Sequence, residues 1–325
     1  MKELVTTIYQ HSGDLPDMEY PNFFHSKSLF MLYEQTPRQK PYMAVVRTSD
    51  GRVVGHLLAV VRQRASVFPP YIYRHCRIMG EGEYTGDAHD AGFFFAEAIR
   101  TLTRELHGRI LYIELSHLSQ KMFGYGQLRR YDYFPVHWMS IHNSLHSHAP
   151  EERLSEKMLH RIESAYAKGV ITREAEGETE LKACCKLLRE HNLFKPKRYI
   201  PDDSFFCALI TSGHGRLFVT VYKDIIIGCC VCAYSEGNAY LWYAAFRRKT
   251  FIMLHPDLLT VWHAIRDAYG RGCAHIEFMD VGLPLRKNPF REFILSFGGK
   301  PISTYRWFRF SPSWLNNFLS WIYRN

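Results

Sequence analysis

The sequence predicts an α/β protein, of the α+β kind, in which two similar halves each build a mixed sheet. Segments with the two-residue period of strands alternate with segments with the 3.6-residue period of helices along the chain. The stretch from His255 to Phe310 shows this best, because it has the pattern of helix, strand, helix and strand. Short motifs also recur in the same order in both halves. We therefore expect two tandem domains with mixed central sheets flanked by helices.

Length and composition fit two globular domains. The chain has 325 residues, of which 46% are hydrophobic and 15% aromatic, enough for two cores of domain size. Its start lacks the pattern of a signal peptide, and its longest apolar run, residues 225–234, has about half the length of a spanning helix. We expect a soluble cytoplasmic protein whose membrane contact is at most peripheral.

The net charge of +9 favours anionic partners. CoA phosphates, tRNA and an acidic membrane face all satisfy it, and no DNA partner is expected. The eight cysteines include no CxxC pair, so we interpret them as small buried hydrophobes in a reducing compartment. No metal is expected either, because His142, His146 and His148 have no carboxylate or cysteine nearby to complete a site and are interpreted as a linker.

The first half begins with a helix over residues 26–36, which ends before Pro37. Strands over 42–47 and 52–62 then flank Ser49-Asp50-Gly51, a specific hairpin signal. The remaining predicted elements are a strand over 71–79, a helix over 92–106, and strands over 110–115 and 134–141.

The second half follows a polar amphipathic helix over 151–168, which we interpret as a connector. Its predicted elements are a strand over 170–173, helices over 178–191 and 203–210, strands over 216–222, 225–234 and 239–246, a helix over 256–270, a strand over 274–278 and a helix over 289–297. A last strand and an amphipathic helix over 311–323 follow, and we expect this helix to pack back on the body. The predicted domains are therefore residues 1–150 and 170–325, joined by 151–169.

Three pairs of motifs indicate a duplication. VVG at 53–55 matches IIG at 226–228, AIR at 98–100 matches AIR at 264–266, and IE at 113–114 matches IE at 276–277. The offsets fall slowly, from 173 to 166 to 163 residues, as small loop deletions would produce. Three matches in one order favour a tandem repeat over two unrelated domains.

The end of the second half resembles a known family. An apolar strand ends in Asp280-x-Gly282, and Phe293-x-x-x-Phe297-Gly298-Gly299 follows. This pattern is similar to that of the Fem-type (FemAB-like) peptidoglycan aminoacyltransferases, which contain two GNAT (N-acetyltransferase) domains. The resemblance implies a tandem-GNAT transferase that moves an acyl or aminoacyl group to an amine.

The resemblance also implies the substrates. The donor would be an acyl-CoA such as acetyl-CoA, or an aminoacyl-tRNA, and the acceptor an acidic or lipid-linked amine such as a cell-envelope precursor. The first domain would be a scaffold or acceptor platform, and the second would hold the donor and the catalytic cleft. The family places a lysine after the aromatic residue of its motif, where this chain has Ile294. The alternative is therefore a catalytically inactive module that binds an anionic ligand or partner.

Glu277 and Asp280, near the end of one predicted strand, are the candidate proton acceptors. Acylation of an amine needs a group close to the nucleophile that takes its proton. Alternation places Phe278 and Asp280 on one face of the strand and Glu277 on the other. We prefer Asp280, which matches the family pattern, with a turn role before Gly282 as its alternative. Tyr243, on the preceding strand, is the candidate acid for the departing thiolate, with core packing as its alternative.

A basic loop between strand and helix is the candidate donor site, and it contains Arg247, Arg248, Lys249 and Thr250. GNAT-like folds receive the donor phosphates at this position, and basic side chains hold phosphate as point charges or forks. A solvated loop is the alternative, and Asp257 in the first turn of the following helix opposes a bound anion.

The first half contains Arg77-Ile-Met-Gly80-Glu-Gly82, a literal match to the GNAT pyrophosphate loop. Carboxylates such as Glu81 and Glu83 stand where phosphates would lie, so we interpret it as an ordinary glycine-bearing loop.

The acceptor site is predicted from a second basic and aromatic stretch. The loop between the first two helices of a GNAT domain lines the acceptor site, and here that loop contains Asn192, Lys195, Lys197 and Arg198. Phe293, from the aromatic motif, is the further candidate contact. A solvated face is the alternative for the basic residues.

Overall fold

The structure is a computed structural model that describes residues 4–66, 70–116, 124–192, 199–279, 281 and 288–323. The chain forms two compact units, one of Met1–Trp138 with Thr304–Asn325 and one of Met139–Ser303. Each unit contains a mixed sheet flanked by helices, so the predicted fold class is confirmed.

The first half of the chain contains two strands and one short helix that the sequence did not predict, β1, β5 and α3. Its strands are β1 (Leu4–Tyr9), β2 (Gln39–Thr48), β3 (Val53–Ser66), β4 (Tyr71–Met79), β5 (Glu83–Tyr84), β6 (Tyr112–Ser116) and β7 (Phe134–Ser144). Its helices are α1 (Lys27–Gln35), α2 (Ala88–Leu106) and α3 (Tyr125–Arg130).

The second half follows its predicted order closely. Its helices are α4 (Glu156–Ala167), α5 (Gly177–Asn192), α6 (Asp203–Thr211), α7 (Pro256–Gly270), α8 (Pro289–Leu295) and α9 (Ser313–Ile322). Its strands are β8 (Ile171–Glu174), β9 (Gly215–Tyr222), β10 (Ile225–Ser235), β11 (Asn238–Phe246), β12 (His275–Phe278) and β13 (Lys300–Phe310).

The two units have the same strand order. In the first unit the order is β1-β2-β3-β4-β6-β13, and β4 and β6 are its parallel neighbours. In the second unit the order is β8-β9-β10-β11-β12-β7, and β11 and β12 are its parallel neighbours. The matching order and the matching parallel pair are what a duplication predicts.

The unit boundaries differ from the predicted domain boundaries at 150 and 170. Residues 141–144 of β7 pair with β12, and residues 307–310 of β13 pair with β6. Each half of the chain therefore supplies its last strand to the unit built mainly by the other half. Helix α4, the predicted connector, buries Met158, Ile162 and Ala165 in the core of the second unit.

The core of the second unit lies between α7 and one face of the sheet. Leu259, Trp262 and Ile265 of α7 are buried there, as their periodic spacing predicts. Ile276 and Phe278 of β12 belong to the same core. Because side chains alternate along a strand, the residues between and beside them lie on the opposite face.

In the residues that the structure describes, no helix has the length and apolar content to cross a bilayer. The last helix packs back on the body, as predicted, but its apolar side with the tryptophans does not face inward. Trp314 and Trp321 of α9 are 74% and 69% exposed, and Asn316 is the residue of α9 that faces the body.

Candidate active site

A row of polar residues crosses the face of the second unit's sheet that is turned away from α7. Glu277 of β12 pairs in register with Tyr240 of β11 on one side and with His142 of β7 on the other. Side chains directly opposite each other on neighbouring strands lie within contact distance on one face. We refer to Tyr240, Glu277 and His142 as the Glu277 row.

Glu277 is a half-buried carboxylate without a counter-ion in the described part of the chain. Burial raises its pKa above the ordinary value of 4.5. No described residue forms a salt bridge with it. Burial and the Glu277 charge together raise the pKa of Tyr240, so this phenol keeps its proton at neutral pH. Glu277 therefore has a raised affinity for a proton, and Tyr240 beside it is a neutral group that can donate one.

His142 and His275, which neighbour Glu277, have lowered pKa values and so do not supply a positive charge. The His142 and His275 rings meet edge to face at 5.2 Å between centroids, and His146 and His275 at 5.3 Å. Burial, His275 and Lys300 lower the pKa of His142, and burial and His146 lower that of His275. Residues 142 and 146, interpreted from the sequence as linker, thus lie beside β12 at the end of β7.

The equivalent carboxylate of the first unit has a different environment. Glu114 occupies in β6 the position that Glu277 occupies in β12, and it pairs in register with Arg77 of β4. An Arg306 guanidinium nitrogen lies 3.0 Å from a Glu114 oxygen, and both side chains are largely buried. The first unit therefore uses this carboxylate in an ion pair, whereas Glu277 has no such partner among the described residues.

Tyr243 lies in the interior rather than in a cleft. It is 3% exposed, and its ring meets Phe206 of α6 edge to face at 5.2 Å. The adjacent Trp242 packs in the same way on Phe205 at 5.6 Å. A register shift in the β10–β11 pairing occurs beside these residues and brings both rings towards α6. This environment fits core packing, which the sequence analysis gave as the alternative role of Tyr243.

Four predicted site residues lie outside the described residues. They are Asp280, the preferred base, and the acceptor candidates Lys195, Lys197 and Arg198.

The basic loop forms an exposed turn between β11 and α7. The N–H of Thr250 and that of Phe251 both donate to the Arg247 carbonyl oxygen, at 3.2 and 3.1 Å. Arg248 Nε lies 3.3 Å from the buried Asp257 carboxylate. These two N–H groups are used within the turn, so a phosphate here would be held by the side chains of Arg247 and Lys249.

Arg247 also lines a cavity of about 490 Å³ between α5 and the β9–β10 hairpin. In that cavity Arg173 donates to both carboxylate oxygens of Glu180, at 2.8 and 2.7 Å. The ion pair with Glu180 neutralises Arg173. Arg247, the other arginine that lines the cavity, has no salt bridge to a described residue.

Asn192 and Phe293, the two acceptor candidates among the described residues, contact other parts of the fold. Asn192 is 6% exposed and its Nδ2 donates to the Leu188 carbonyl oxygen at 2.8 Å, while its Oδ1 has no partner among the described residues. The Phe293 ring meets Phe297 edge to face at 5.2 Å, half-buried against the core. Ile294, at the position of the family lysine, is 0% exposed in that core.

The N–H groups of both glycines in the glycine loop of the first unit are used within the protein. The Gly80 N–H donates to the Ser116 carbonyl oxygen at 2.8 Å, and the Gly82 N–H to His25 Nε2 at 3.0 Å. A Cβ at either glycine would approach His25 or the His56 carbonyl within 2.9 Å. Both glycines are required by packing, in agreement with the interpretation as an ordinary loop.

Residues 156–284 match the acetyltransferase (GNAT) domain family. The matched residues lie within the second unit, which is therefore similar to a GNAT domain. Tyr240, Glu277 and the basic loop lie within the matched residues, and His142 precedes them. No curated protein sequence matches the chain.

Solved structures with the same fold cover most of the chain. FemX has a TM-score of 0.57 at 12% identity, over 89% of this chain and 97% of its own. A tandem GNAT protein from the clavulanic acid biosynthesis pathway has a TM-score of 0.57 at 12% identity, over 95% and 99%. L-PGS from Bacillus licheniformis has a TM-score of 0.57 at 9% identity, over 91% of each chain. The chain thus has the Fem-like tandem GNAT fold, and the GNAT match supports an acyltransferase.

Proposed function

We propose that the protein transfers an acyl or aminoacyl group to an amine, with Glu277 as the proton acceptor. The observation that supports this most is the contrast between the repeats. At the same strand position, Glu114 is neutralised by an arginine, whereas Glu277 has a raised pKa and a tyrosine beside it. A carboxylate kept for structure would gain from a counter-ion, and Glu277 lacks one in the described chain.

The proposed reaction balances within this row. The amine nitrogen attacks the acyl carbonyl, a C–N bond forms, and the bond from carbon to the donor sulfur or oxygen breaks. The Glu277 carboxylate takes the proton that the amine loses. Tyr240, whose phenol is protonated at neutral pH and which lies opposite Glu277 in the strand register, is the group that we assign to return a proton to the leaving group. Tyr243 is less suited, because it is buried against Phe206.

An acyl-CoA is the donor that the GNAT match supports, and an aminoacyl-tRNA is the second donor that we propose. The side chains of Arg247 and Lys249 would hold the phosphates of either donor. Arg248 would contribute less, because it already forms an ion pair with Asp257. Acyl-CoA and tRNA both carry phosphates, so the basic loop fits either.

The proposed acceptor is an amine on an acidic or lipid-linked molecule such as a cell-envelope precursor. The resemblance to Fem-type peptidoglycan aminoacyltransferases and the folds of FemX and L-PGS support this class. We assign the donor and the chemistry to the second domain and a scaffold or acceptor role to the first.

The test is donor turnover with acetyl-CoA and with aminoacyl-tRNA, each across a panel of soluble and lipid-linked amines. Glu277→Gln should abolish most turnover of whichever donor is used, and Glu163→Gln, which removes an exposed carboxylate on α4, should not. Binding of a donor without turnover across the whole panel would contradict the proposal and favour an inactive binding module.

A further inference from the structure

Helix α9 is attached to the first unit by its polar side. Asn316 is 5% exposed, and it is the buried residue of this ten-residue helix. Its Oδ1 accepts from the Phe310 N–H at 2.8 Å, and its Nδ2 donates to the Asp132 carbonyl oxygen at 3.0 Å. A surface helix ordinarily turns its apolar stripe inward. In α9, by contrast, the residue that is turned inward is the polar Asn316.

The side of α9 opposite Asn316 is an exposed aromatic stripe. Trp314, Phe318 and Trp321 follow one another at spacings of four and three residues, so they share one face. They are 74%, 53% and 69% exposed. At 100° per residue this face is centred about 180° from Asn316. The two hydrogen bonds of Asn316 therefore fix the stripe in an outward orientation.

Arginines lie close to the attachment point of α9. Arg129 and Arg130 end α3, two or three residues before the Asp132 carbonyl that Asn316 contacts, and both are exposed. Arg309 precedes the contacted Phe310 and donates through Nε to the Tyr131 carbonyl oxygen at 3.0 Å. Asp132 is the acidic side chain in this stretch. The base on which α9 stands therefore carries a net positive charge, as the whole chain does.

Aromatic residues beside arginines are the chemistry of an interfacial lipid contact. Tryptophan and phenylalanine rings occupy the boundary between head groups and acyl chains, and arginines attract anionic head groups. A whole tryptophan or phenylalanine side chain offers about 200 Å², so at these exposures the stripe presents about 400 Å². That area is about half of the ~800 Å² per partner of a stable protein interface.

We propose that α9 docks the protein on an anionic lipid surface, with Trp314, Phe318 and Trp321 entering the interface and Arg129 and Arg130 facing the lipid phosphates. Docking in this form leaves the helix parallel to the surface. The proposal is independent of the acyl-transfer site, because every residue it uses belongs to the first unit.

The test is co-sedimentation of the full chain with phosphatidylcholine vesicles, with and without phosphatidylglycerol. The wild type should bind the anionic vesicles more tightly, and added salt should reduce the difference. Trp314→Ala with Trp321→Ala should weaken binding at least about tenfold on anionic vesicles. Arg129→Gln with Arg130→Gln should weaken it about fivefold for each arginine on anionic vesicles only.

The control is Ile252→Ala with Met253→Ala, which removes side chains that are 64% and 70% exposed in the second unit and should leave binding unchanged. Unchanged binding in the tryptophan variant, or equal loss in the control, would overturn the proposal. A change of oligomeric state in the tryptophan variant without a change in vesicle binding would instead identify the stripe as a contact between copies.

Discussion

In the first unit, an Arg306 guanidinium nitrogen lies 3.0 Å from a carboxylate oxygen of Glu114. The equivalent carboxylate of the second unit, Glu277, has no salt bridge to any described residue, and its strand neighbour is Tyr240 rather than an arginine. The duplication thus supplies an internal comparison. The same position serves stability in one unit and, in our proposal, proton transfer in the other.

The two carboxylates should respond oppositely to removal of their charge. Glu114→Gln leaves the Arg306 guanidinium without its ion-pair partner in a largely buried site, so unfolding should require about 3 kcal/mol less. Glu277→Gln removes a carboxylate whose ionised form is disfavoured by burial, so stability at neutral pH should be unchanged or higher. Urea denaturation at neutral pH measures both, and equal destabilisation by the two substitutions would contradict the assignment.

Position 294 should not accept the lysine that the resembling family carries. Ile294 is fully buried in the core of the second unit, so Ile294→Lys should lower the free energy of unfolding by about 3 kcal/mol or more. Glu292→Lys, two residues away and exposed, is the matched control and should be nearly neutral. A stable Ile294→Lys variant with increased turnover would show that this position faces the active site.

The basic loop should bind the donor through exposed side chains. Arg247→Glu with Lys249→Glu should weaken donor binding at least about tenfold, because each charge-assisted contact to phosphate is worth more than a neutral hydrogen bond. The melting temperature should not change, since both residues are exposed. Lys157→Glu on α4 is the exposed control. Calorimetric titration with CoA measures the effect, and undiminished affinity would remove the loop from the donor site.

The first unit should be sensitive to acid. Burial lowers the pKa of His25 to about 3, of His56 to about 4 and of His75 to about 3. His56 lowers the pKa of His25 further, and neighbouring arginines lower that of His75. Below about pH 6.5 the unfolded chain binds protons that the folded chain does not, so stability falls as the pH falls.

Each of these histidines contributes a slope of about 1.4 kcal/mol per pH unit between pH 6 and 4. His75→Gln should reduce the slope of the free energy of unfolding against pH by about 1.4 kcal/mol per pH unit, as measured by urea denaturation across this range. His107→Gln, at an exposed position of the first unit, is the control and should change the slope little. An identical slope in the His75 variant would contradict the assignment.

Local periodicity predicted most helices and strands, because the determinants of α7 and β12 lie within each segment. It missed the pairing of β7 with β12 and of β13 with β6, because strand partners distant in sequence leave no local signal. It also misjudged α9. The apolar stripe suggested an inward face, but two hydrogen bonds of Asn316 decide the orientation.

The candidate site was predicted in part. Strand alternation separated Glu277 from Phe278, and the structure places Phe278 in the α7 core and Glu277 opposite. Tyr240 was missed, although alternation along β11 places it on the Glu277 face. Which carboxylate has a raised pKa could not be predicted, because that depends on burial by segments distant in sequence.

The pH dependence of kcat/KM tests the central claim most directly. With Glu277 as base, turnover in the wild type should rise with pH through an apparent pKa above 4.5, and Glu277→Gln should lose about 10²-fold in rate together with that dependence. Asp280→Asn, measured in parallel, should retain it. A Glu277→Gln enzyme with the wild-type profile, or the loss of the profile in Asp280→Asn instead, would contradict the account.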